Sequence, residues 1–298
     1  MSNTTSNTPG KHSGASDGSR ALLREVAGTA TADGAGVKLT RLIGSPQLDM
    51  VDPFLLLDCF ASDEAQDYIG GFPTHPHRGF ETVTYLLHGR MRHRDSTGRE
   101  GVIESGGVQW MTAGRGILHS EMPEQERGLL QGFQLWVNLP AAAKMTAPHY
   151  QEYPPAEIPL EQRENGSEVR VIAGTTNNGT VGPVVNHHTD PLFIDVTLPA
   201  GAEFVQATPV AHTALLYVIE GALQVVANSS PASAALAAAR LGVLGQGDQL
   251  AVRAGKQRTR FLLIAGRPLH ESVVRAGPFV MNTREEIMQA FKDFSGEG

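Results

Sequence analysis

The sequence contains a single cysteine, Cys59, among 298 residues. One cysteine excludes an internal disulfide and a cysteine-rich zinc site. We therefore expect a cytoplasmic protein in which Cys59 is a buried, unreactive thiol. The chain also lacks any run of about 18 apolar residues, and its first twenty residues lack the apolar segment of a secretory signal. We expect neither a membrane span nor export.

Positive charge is scarce as well. Lys and Arg number 24 against 31 Asp and Glu, which gives a net charge of −7 with neutral histidine. Direct binding to nucleic acid depends on a basic surface, so this class of function is excluded. Gly and Pro are abundant, at 33 and 18 residues, while 41% of the chain is hydrophobic. This composition is typical of a turn-rich globular protein with many short strands.

The chain divides into segments of different character. Residues 1–20 are polar and small, which predicts a disordered tail. Short apolar runs bounded by Gly, Pro and Asp then predict strands, and the proline-rich segment 146–165 predicts a linker. Thr283 and Glu286 have the spacing of a capping box before an amphipathic stretch. Residues 283–298 are therefore predicted to form a short helix and tail that dock on one domain.

An internal repeat relates the two halves of the chain. The segment YLLHG at 85–89 resembles YVIEG at 217–221, and GVQ at 107–109 resembles GDQ at 247–249. On this alignment the second half is eight residues longer, and the Ala-rich segment Ser229–Arg240 is predicted as a loop insertion, with a helix as the alternative. Two copies of a β unit fit two tandem jelly-roll barrels, over 21–145 and 166–282.

Two pairs of polar residues carry metal-binding chemistry. His75 and His77 are two residues apart, so on a strand their side chains share one face. His119 and Glu121 repeat this spacing further along. Two such strands facing each other in a barrel would offer three imidazoles and a carboxylate, which suits Fe(II), Mn, Co, Ni, Cu or Zn. We therefore predict one mononuclear divalent metal per chain.

Each of these residues also has an ordinary structural interpretation. His75 and His77 can be exposed strand residues, and His119 with Glu121 can form a simple ion pair. Glu81 has the same parity as the first histidine pair. It is predicted either to coordinate the metal, to orient a ligand, or to lie at the edge of the core.

Four other histidines are not predicted as ligands. His88 and His93 are expected on a hairpin surface, because a glycine next to His88 marks a turn. His187 and His188 are adjacent, so on a strand they point to opposite faces and cannot easily bind one metal.

Several residues near the ligand strands are candidates for lining a pocket. Trp110 and Met111 are as readily explained by packing in the barrel wall. The full set is Phe72, Arg78, Gln109, Trp110 and Met111.

The repeat predicts that only the first half binds metal. Transferring the four ligand positions to the second half by the same offsets gives residues that are unsuited to the role. These are Ala207, Pro209, Arg260 and Leu262. We expect the second domain to have a structural role, to enclose the substrate or to contact a partner.

Long stretches of the chain closely resemble the pirin family, whose members are two-domain proteins of the cupin superfamily. The resemblance covers about residues 22–295 and rests on the segments GFPTHPHRGFETVTYLLHG, QWMTAGRGILHSEMP, GFQLWVNLP and GPFVMNTREEI. It implies an all-β bicupin of two tandem double-stranded β-helix (jelly-roll) barrels with a short C-terminal helix. By position, it also implies iron in the first barrel, held by His75, His77, His119 and Glu121.

The resemblance implies several functions, because the family is divided. Some bacterial members resemble quercetin 2,3-dioxygenases, vertebrate members are nuclear cofactors of transcription factors, and other bacterial members contact metabolic enzymes. We expect an iron-dependent, monomeric enzyme that cleaves a quercetin-like flavonol with dioxygen and releases carbon monoxide. In it Glu121, or alternatively Glu81, accepts the substrate's proton. The alternatives are a redox-sensitive regulatory protein that acts through protein contacts, and another cupin chemistry such as isomerisation.

Overall fold

The computed structural model describes residues 18–227 and 234–295, which form 24 strands and one α-helix. The strands in the first half of the chain are β1 (Leu22–Val26), β2 (Thr29–Asp33), β3 (Val37–Ile43), β4 (Phe54–Ser62), β5 (Phe72–His77), β6 (Phe80–His88), β7 (Arg90–Asp95), β8 (Glu100–Glu104), β9 (Val108–Thr112), β10 (Ile117–Pro123), β11 (Leu130–Asn138) and β12 (His149–Tyr153).

The second half continues the same architecture. Its elements are β13 (Leu160–Gln162), β14 (Glu168–Ala173), β15 (Leu192–Leu198), β16 (Glu203–Ala207), β17 (Thr213–Glu220), β18 (Ala222–Val225), β19 (Ala234–Ala237), β20 (Arg240–Leu244), β21 (Gln249–Ala254), β22 (Thr259–Gly266), β23 (Val274–Ala276), β24 (Phe279–Met281) and the helix α1 (Arg284–Ser295). None of the helices in the described ranges is long and apolar enough to cross a membrane.

Each half folds into a barrel made of one seven-stranded and one four-stranded antiparallel sheet. The first barrel has the strand orders β12-β9-β6-β11-β4-β3-β2 and β5-β10-β7-β8. The second has the orders β1-β20-β17-β22-β15-β14-β13 and β16-β21-β18-β19. The predicted all-β fold of two jelly-roll barrels is confirmed.

The two seven-stranded sheets pack against each other and form the central core. In strand β6, every residue from Phe80 to Leu87 is buried. Both faces of this strand are therefore covered. Thr84 faces the interior of the first barrel, where its hydroxyl contacts Glu121. The alternate residues Val83 and Tyr85 belong to the core cluster that is shared with the second barrel. A strand that is buried on both faces therefore joins the interior of the first barrel to the domain interface.

The N-terminal strand of the chain belongs to the second barrel, and the C-terminal helix packs on the first. Strand β1 pairs with β20 and so belongs to the second barrel, although it lies in the segment predicted for the first. Arg20 is only 1% exposed and donates a hydrogen bond to Thr208 Oγ1 at 2.7 Å. The predicted tail is therefore wrong for Ser19 and Arg20, because both side chains are buried in described structure. Residues 1–17 lie outside the described residues.

The opposite end of the chain packs on the first barrel. The Arg78 guanidinium forms an ion pair with Asp293 of α1 at 2.6 Å. The buried Lys144 Nζ donates to the carbonyls of Gly79 and Val280, at 2.6 and 3.0 Å. Burial lowers the pKa of this ammonium to about 8. The C-terminal hairpin β23–β24 thus lies directly behind the strand that carries His77.

The predicted C-terminal helix and its cap are confirmed. The N–H of Glu286 donates to Thr283 Oγ1 at 3.2 Å, and the N–H of Thr283 donates to Glu286 Oε2 at 2.9 Å. Ile287 and Ala290 are buried in a cluster with residues of β24. The reciprocal cap satisfies two N–H groups at the helix start. The segment predicted as a linker, 146–165, instead carries β12 in the first barrel's sheet and β13 in the second's.

The strand pairing corrects the alignment of the repeat. The starts of β7 and β9, at Arg90 and Val108, are 18 residues apart. The starts of the equivalent strands β18 and β20, at Ala222 and Arg240, are also 18 residues apart. The predicted insertion at 229–240 is therefore wrong, because matching Gly107 to Gly247 skipped one strand. The helix alternative is wrong for 234–237, which form β19, and residues 228–233 are outside the described part of the chain.

The corrected alignment moves the counterparts of the ligands. On β10, His119 pairs with His75 of β5, and Glu121 pairs with His93 of β7. On the equivalent strand β21, Leu250 pairs with Gln206 of β16, and Val252 pairs with Val225 of β18. The positions that correspond to His75, His119 and Glu121 are therefore Gln206, Leu250 and Val252. Leu250 and Val252 belong to an apolar cluster in the second barrel, so the site has no equivalent there at these three positions.

Candidate metal centre

Three histidine side chains converge inside the first barrel. His75 and His77 lie on β5, and His119 lies opposite His75 on the neighbouring strand β10. The Nε2 atom of His75 is 3.0 Å from Nε2 of His77 and 3.0 Å from Nε2 of His119. These are the ligand atoms of a group that lies within 4.8 Å of one another. Strand parity therefore brings the predicted histidines together.

The surrounding groups fix the protonation of this cluster. His75 Nδ1 is 2.8 Å from the carbonyl of Pro73, which requires the proton on Nδ1 and leaves the lone pair of Nε2 facing the cluster. Burial, together with the neighbouring histidines, lowers the pKa of His119 to about 3 and that of His77 well below 6.5. Neutral nitrogens 3.0 Å apart cannot all donate to one another. The three lone pairs fit a divalent metal.

The depressed pKa values make the metal-free protein sensitive to acid. Because His119 binds a proton only near pH 3 when folded but near pH 6.5 when unfolded, stability is present above pH 6.5 and is lost as the pH falls toward 3. His119 alone should cost about 3 kcal/mol between pH 7 and 4. Urea unfolding of metal-free wild type and His119→Gln at both pH values measures this. Equal losses in both proteins would contradict it, and exposed His88→Gln is the control.

Glu121 lies beside the cluster in the same cavity. A β-bulge between His119 and Glu121 shifts the register, so that Glu121 lies opposite Phe72. Its Oε1 accepts a hydrogen bond from Thr84 Oγ1 at 2.8 Å. Burial raises the pKa of this carboxyl group. Glu121 is not a member of the group of three histidines, so its role as a fourth ligand stays a prediction.

The cavity that contains the site has a volume of about 700 Å³. His77 packs edge-on against Phe80 and Trp136, with ring centres 5.0 and 5.2 Å away. The lining combines apolar and polar side chains from the barrel with residues of the C-terminal segment. They are Asp33, Gly34, Leu39, Arg41, Gly44, Leu56, Asp58, Phe60, Phe72, Pro73, His75, His77, Glu121, Gln134, Trp136, Arg275, Gly277 and Pro278.

Glu81 does not lie in this cavity. The strand that carries the histidines ends at His77, and Gly79, with φ of +88°, begins a new direction before β6. The parity argument therefore fails at the turn, and Glu81 faces a different cavity at the domain interface. Its carboxylate accepts hydrogen bonds from Thr112 Oγ1, at 2.7 Å, and from the side-chain amide of Asn186.

His93 is buried, so its predicted position on a hairpin surface is wrong. Its side chain is 3% exposed, and its Nε2 lies 2.6 Å from Glu152 Oε2. The hairpin turn is at Gly89, and His93 is four residues into β7, on the face that points into the barrel opposite Glu121. His88 is exposed, as predicted. The sequence signal for His93 is the alternation along β7, in which Arg90, Arg92 and Arg94 alternate with Met91, His93 and Asp95.

The pocket candidates divide into two groups. Phe72 lines the cavity, whereas Trp110 and Met111 are buried in packed clusters, in agreement with their alternative interpretation. Gln109 donates to Glu152 at 2.9 Å, and Arg78 is committed to α1. Arg275, Gly277 and Pro278 also form part of the cavity wall, which could not be predicted from sequence because they lie far along the chain from the histidine strands.

Two stacked jelly-roll barrels, with three histidines converging in the first, define a bicupin whose first domain fits a single metal ion. The chain belongs to the pirin family. The family model described as Pirin matches residues 36–137, and the model described as Pirin C-terminal cupin domain matches residues 193–297.

Relatives and solved structures agree with this membership. A pirin-like protein of Caulobacter vibrioides is 54% identical over 275 residues, which cover 92% of this chain and 97% of that protein. Human pirin is 43% identical over 278 residues, which cover 93% and 92% of the two chains. The crystal structure named quercetin 2,3-dioxygenase from Acinetobacter baumannii superposes with a TM-score of 0.82 at 36% identity, covering 93% of this chain and 97% of that one.

Proposed function

We propose that the protein is an iron-dependent dioxygenase that opens the central ring of a quercetin-like flavonol. The observation that carries this proposal is one cavity lined by His75 and His77 of the histidine cluster and by the buried carboxylate of Glu121. The similarity to the Acinetobacter baumannii structure, which bears the name of this activity, supports it.

The size and lining of the cavity suit an aromatic polyphenol. About 700 Å³ lies within the range of pockets that enclose molecules of this size. Phe72 and Trp136 provide aromatic surface for the rings. Arg41, Asp58 and Gln134 provide polar groups for substrate hydroxyls. The Arg41 guanidinium donates to both oxygens of Asp58, at 2.9 and 2.7 Å, so this polar wall is ordered before the substrate binds.

The reaction balances without another reactant. The flavonol and dioxygen give a ring-opened ester and carbon monoxide, with the carbon that bears the 3-hydroxyl leaving as carbon monoxide and both oxygen atoms of dioxygen accounted for in the products. A divalent metal held by His75, His77 and His119 would supply Lewis acidity and one-electron chemistry.

The proton of the 3-hydroxyl is assigned to Glu121. Its carboxyl group lines the cavity and is 4% exposed. A carboxylate that lines the cavity can accept a proton from a substrate hydroxyl within hydrogen-bond reach. The Thr84 hydroxyl donates to Oε1 at 2.8 Å, which restricts the orientation of the carboxyl group in the cavity.

Replacing Glu121 tests this assignment. Glu121→Gln keeps the shape of the side chain but cannot accept the proton, so we expect turnover of quercetin to fall by about 10²- to 10⁴-fold. The matched control is Glu81→Gln, a buried carboxylate outside the cavity, which should retain wild-type turnover. Metal content measured on both variants distinguishes loss of a base from loss of a ligand. Full turnover by Glu121→Gln would exclude this role.

A further inference from the structure

A second cavity, of about 760 Å³, lies between the first barrel and residues 185–188 of the second half. It shares no lining residue with the metal cavity. Glu81 and Tyr150 line it from the first barrel, and Asn186 and His188 line it from the opposite side. Clefts between domains are common binding sites for small ligands.

The carboxylate of Glu81 forms one wall of this cavity. Glu81 is 3% exposed, and its polar neighbours Thr112, Asn186 and Trp110 are all neutral. Within residues 18–227 and 234–295, no Lys or Arg forms an ion pair with it. Each carboxylate oxygen can accept two hydrogen bonds, so acceptor capacity remains. A buried carboxylate is costly without a cation.

The other lining residues include a second acid, Glu152, the rings of Tyr150 and Tyr153, and three histidines, His149, His187 and His188. They include no Lys or Arg. Glu152 already forms a pair with His93, whose Nε2 lies 2.6 Å from Glu152 Oε2. Among the described residues that line the cavity, Glu81 is therefore the acid without such a partner. Burial raises the pKa of Glu81, as is typical of a carboxyl group without a cation.

The opposite wall is held in place by hydrogen bonds. The side-chain amide of Gln151 donates to the carbonyl of Val185 at 2.7 Å and accepts from its N–H at 2.8 Å. The guanidinium of Arg267 donates to the carbonyls of His187 and His188, at 2.7 and 3.1 Å. The cavity is therefore formed before any ligand binds.

We propose that this cavity binds a small molecule or side chain that carries a guanidinium group, with Glu81 as the anchoring carboxylate. A guanidinium matches the two oxygens of a carboxylate. The site is separate from the metal centre, and the proposal does not depend on the dioxygenase function.

Isothermal titration with agmatine tests the site. Wild-type protein should bind agmatine, Glu81→Gln should bind it at least tenfold more weakly, and His119→Ala should bind it as wild type does, because the metal cavity is separate. 4-Aminobutylurea, which keeps the ammonium group of agmatine but replaces its guanidinium by a neutral urea, should not bind. Gly-Arg-Gly separates the two sources of the guanidinium: equal binding supports an arginine of a partner, and binding of agmatine alone supports a free small molecule.

A second variant covers the case in which Glu81→Gln does not fold. Ala147 is exposed and lines the same cavity, so Ala147→Trp should fill the cavity and abolish agmatine binding while Glu81 is intact. Absence of agmatine binding by wild type, equal binding by folded Glu81→Gln, retained binding by folded Ala147→Trp, or equal binding of 4-aminobutylurea would each overturn the proposal.

Discussion

His119→Ala protein is expected to bind divalent metal at least about 100-fold more weakly than wild type and to lose quercetin turnover. His119 is the one member of the cluster on β10, and its Nε2 lies 3.0 Å from that of His75. Removing it leaves two imidazoles on one strand, so the three-nitrogen face is lost. Loss of a ligand should exceed the 10- to 100-fold effect typical of groups that only orient ligands.

Metal content after dialysis against Fe(II) or Mn(II), measured by atomic emission, checks this expectation. His88→Ala is the matched control, because His88 is exposed at the end of β6. One metal per chain in His119→Ala would show that the cluster is not the binding site. Reduced metal in both variants would point to a non-specific effect of removing histidines.

Asp195→Ala should destabilise the protein by about 3 kcal/mol, because it breaks a buried network between the barrels. Asp195 accepts a hydrogen bond from the Tyr85 hydroxyl of the first barrel at 2.7 Å, and its Oδ2 lies 2.6 Å from an Arg260 nitrogen. Without Asp195 the Arg260 guanidinium loses its carboxylate in a largely buried place.

The control for this prediction is Tyr85→Phe. It removes one hydrogen bond and leaves the Asp195–Arg260 pair intact, so it should cost only about 1 kcal/mol. Urea unfolding of both variants at pH 7 measures the difference. A loss below 1 kcal/mol for Asp195→Ala would mean that the network contributes little to the stability of the interface.

The convergence of the histidine cluster could be predicted from sequence, because the local geometry of a strand determines which side chains share a face. An extended strand places side chains two apart on one face, and β5 is extended across both His75 and His77. The same rule failed for Glu81 because Gly79 ends the strand between them. Parity holds only within one strand, and the sequence alone did not show where that strand ends.

Long-range exchange of segments could not be predicted. Nothing in the local pattern of Leu22–Val26 indicates that it pairs with β20 of the other barrel. Likewise, Pro278 reaches the metal cavity only because α1 and β24 pack on the first barrel. The repeat predicted from sequence is present, because the two barrels have equivalent strand orders. Short glycine motifs were not enough to define its alignment, which follows from the strand order.

Oxygen consumption and carbon monoxide release by Fe(II)-loaded protein with quercetin test the central claim most directly. The account predicts one carbon monoxide released per dioxygen consumed by wild type, and neither by His119→Ala. Absence of both from wild-type protein shown to contain one iron per chain would contradict the proposed dioxygenase. It would instead favour another substrate or a regulatory role exerted through protein contacts.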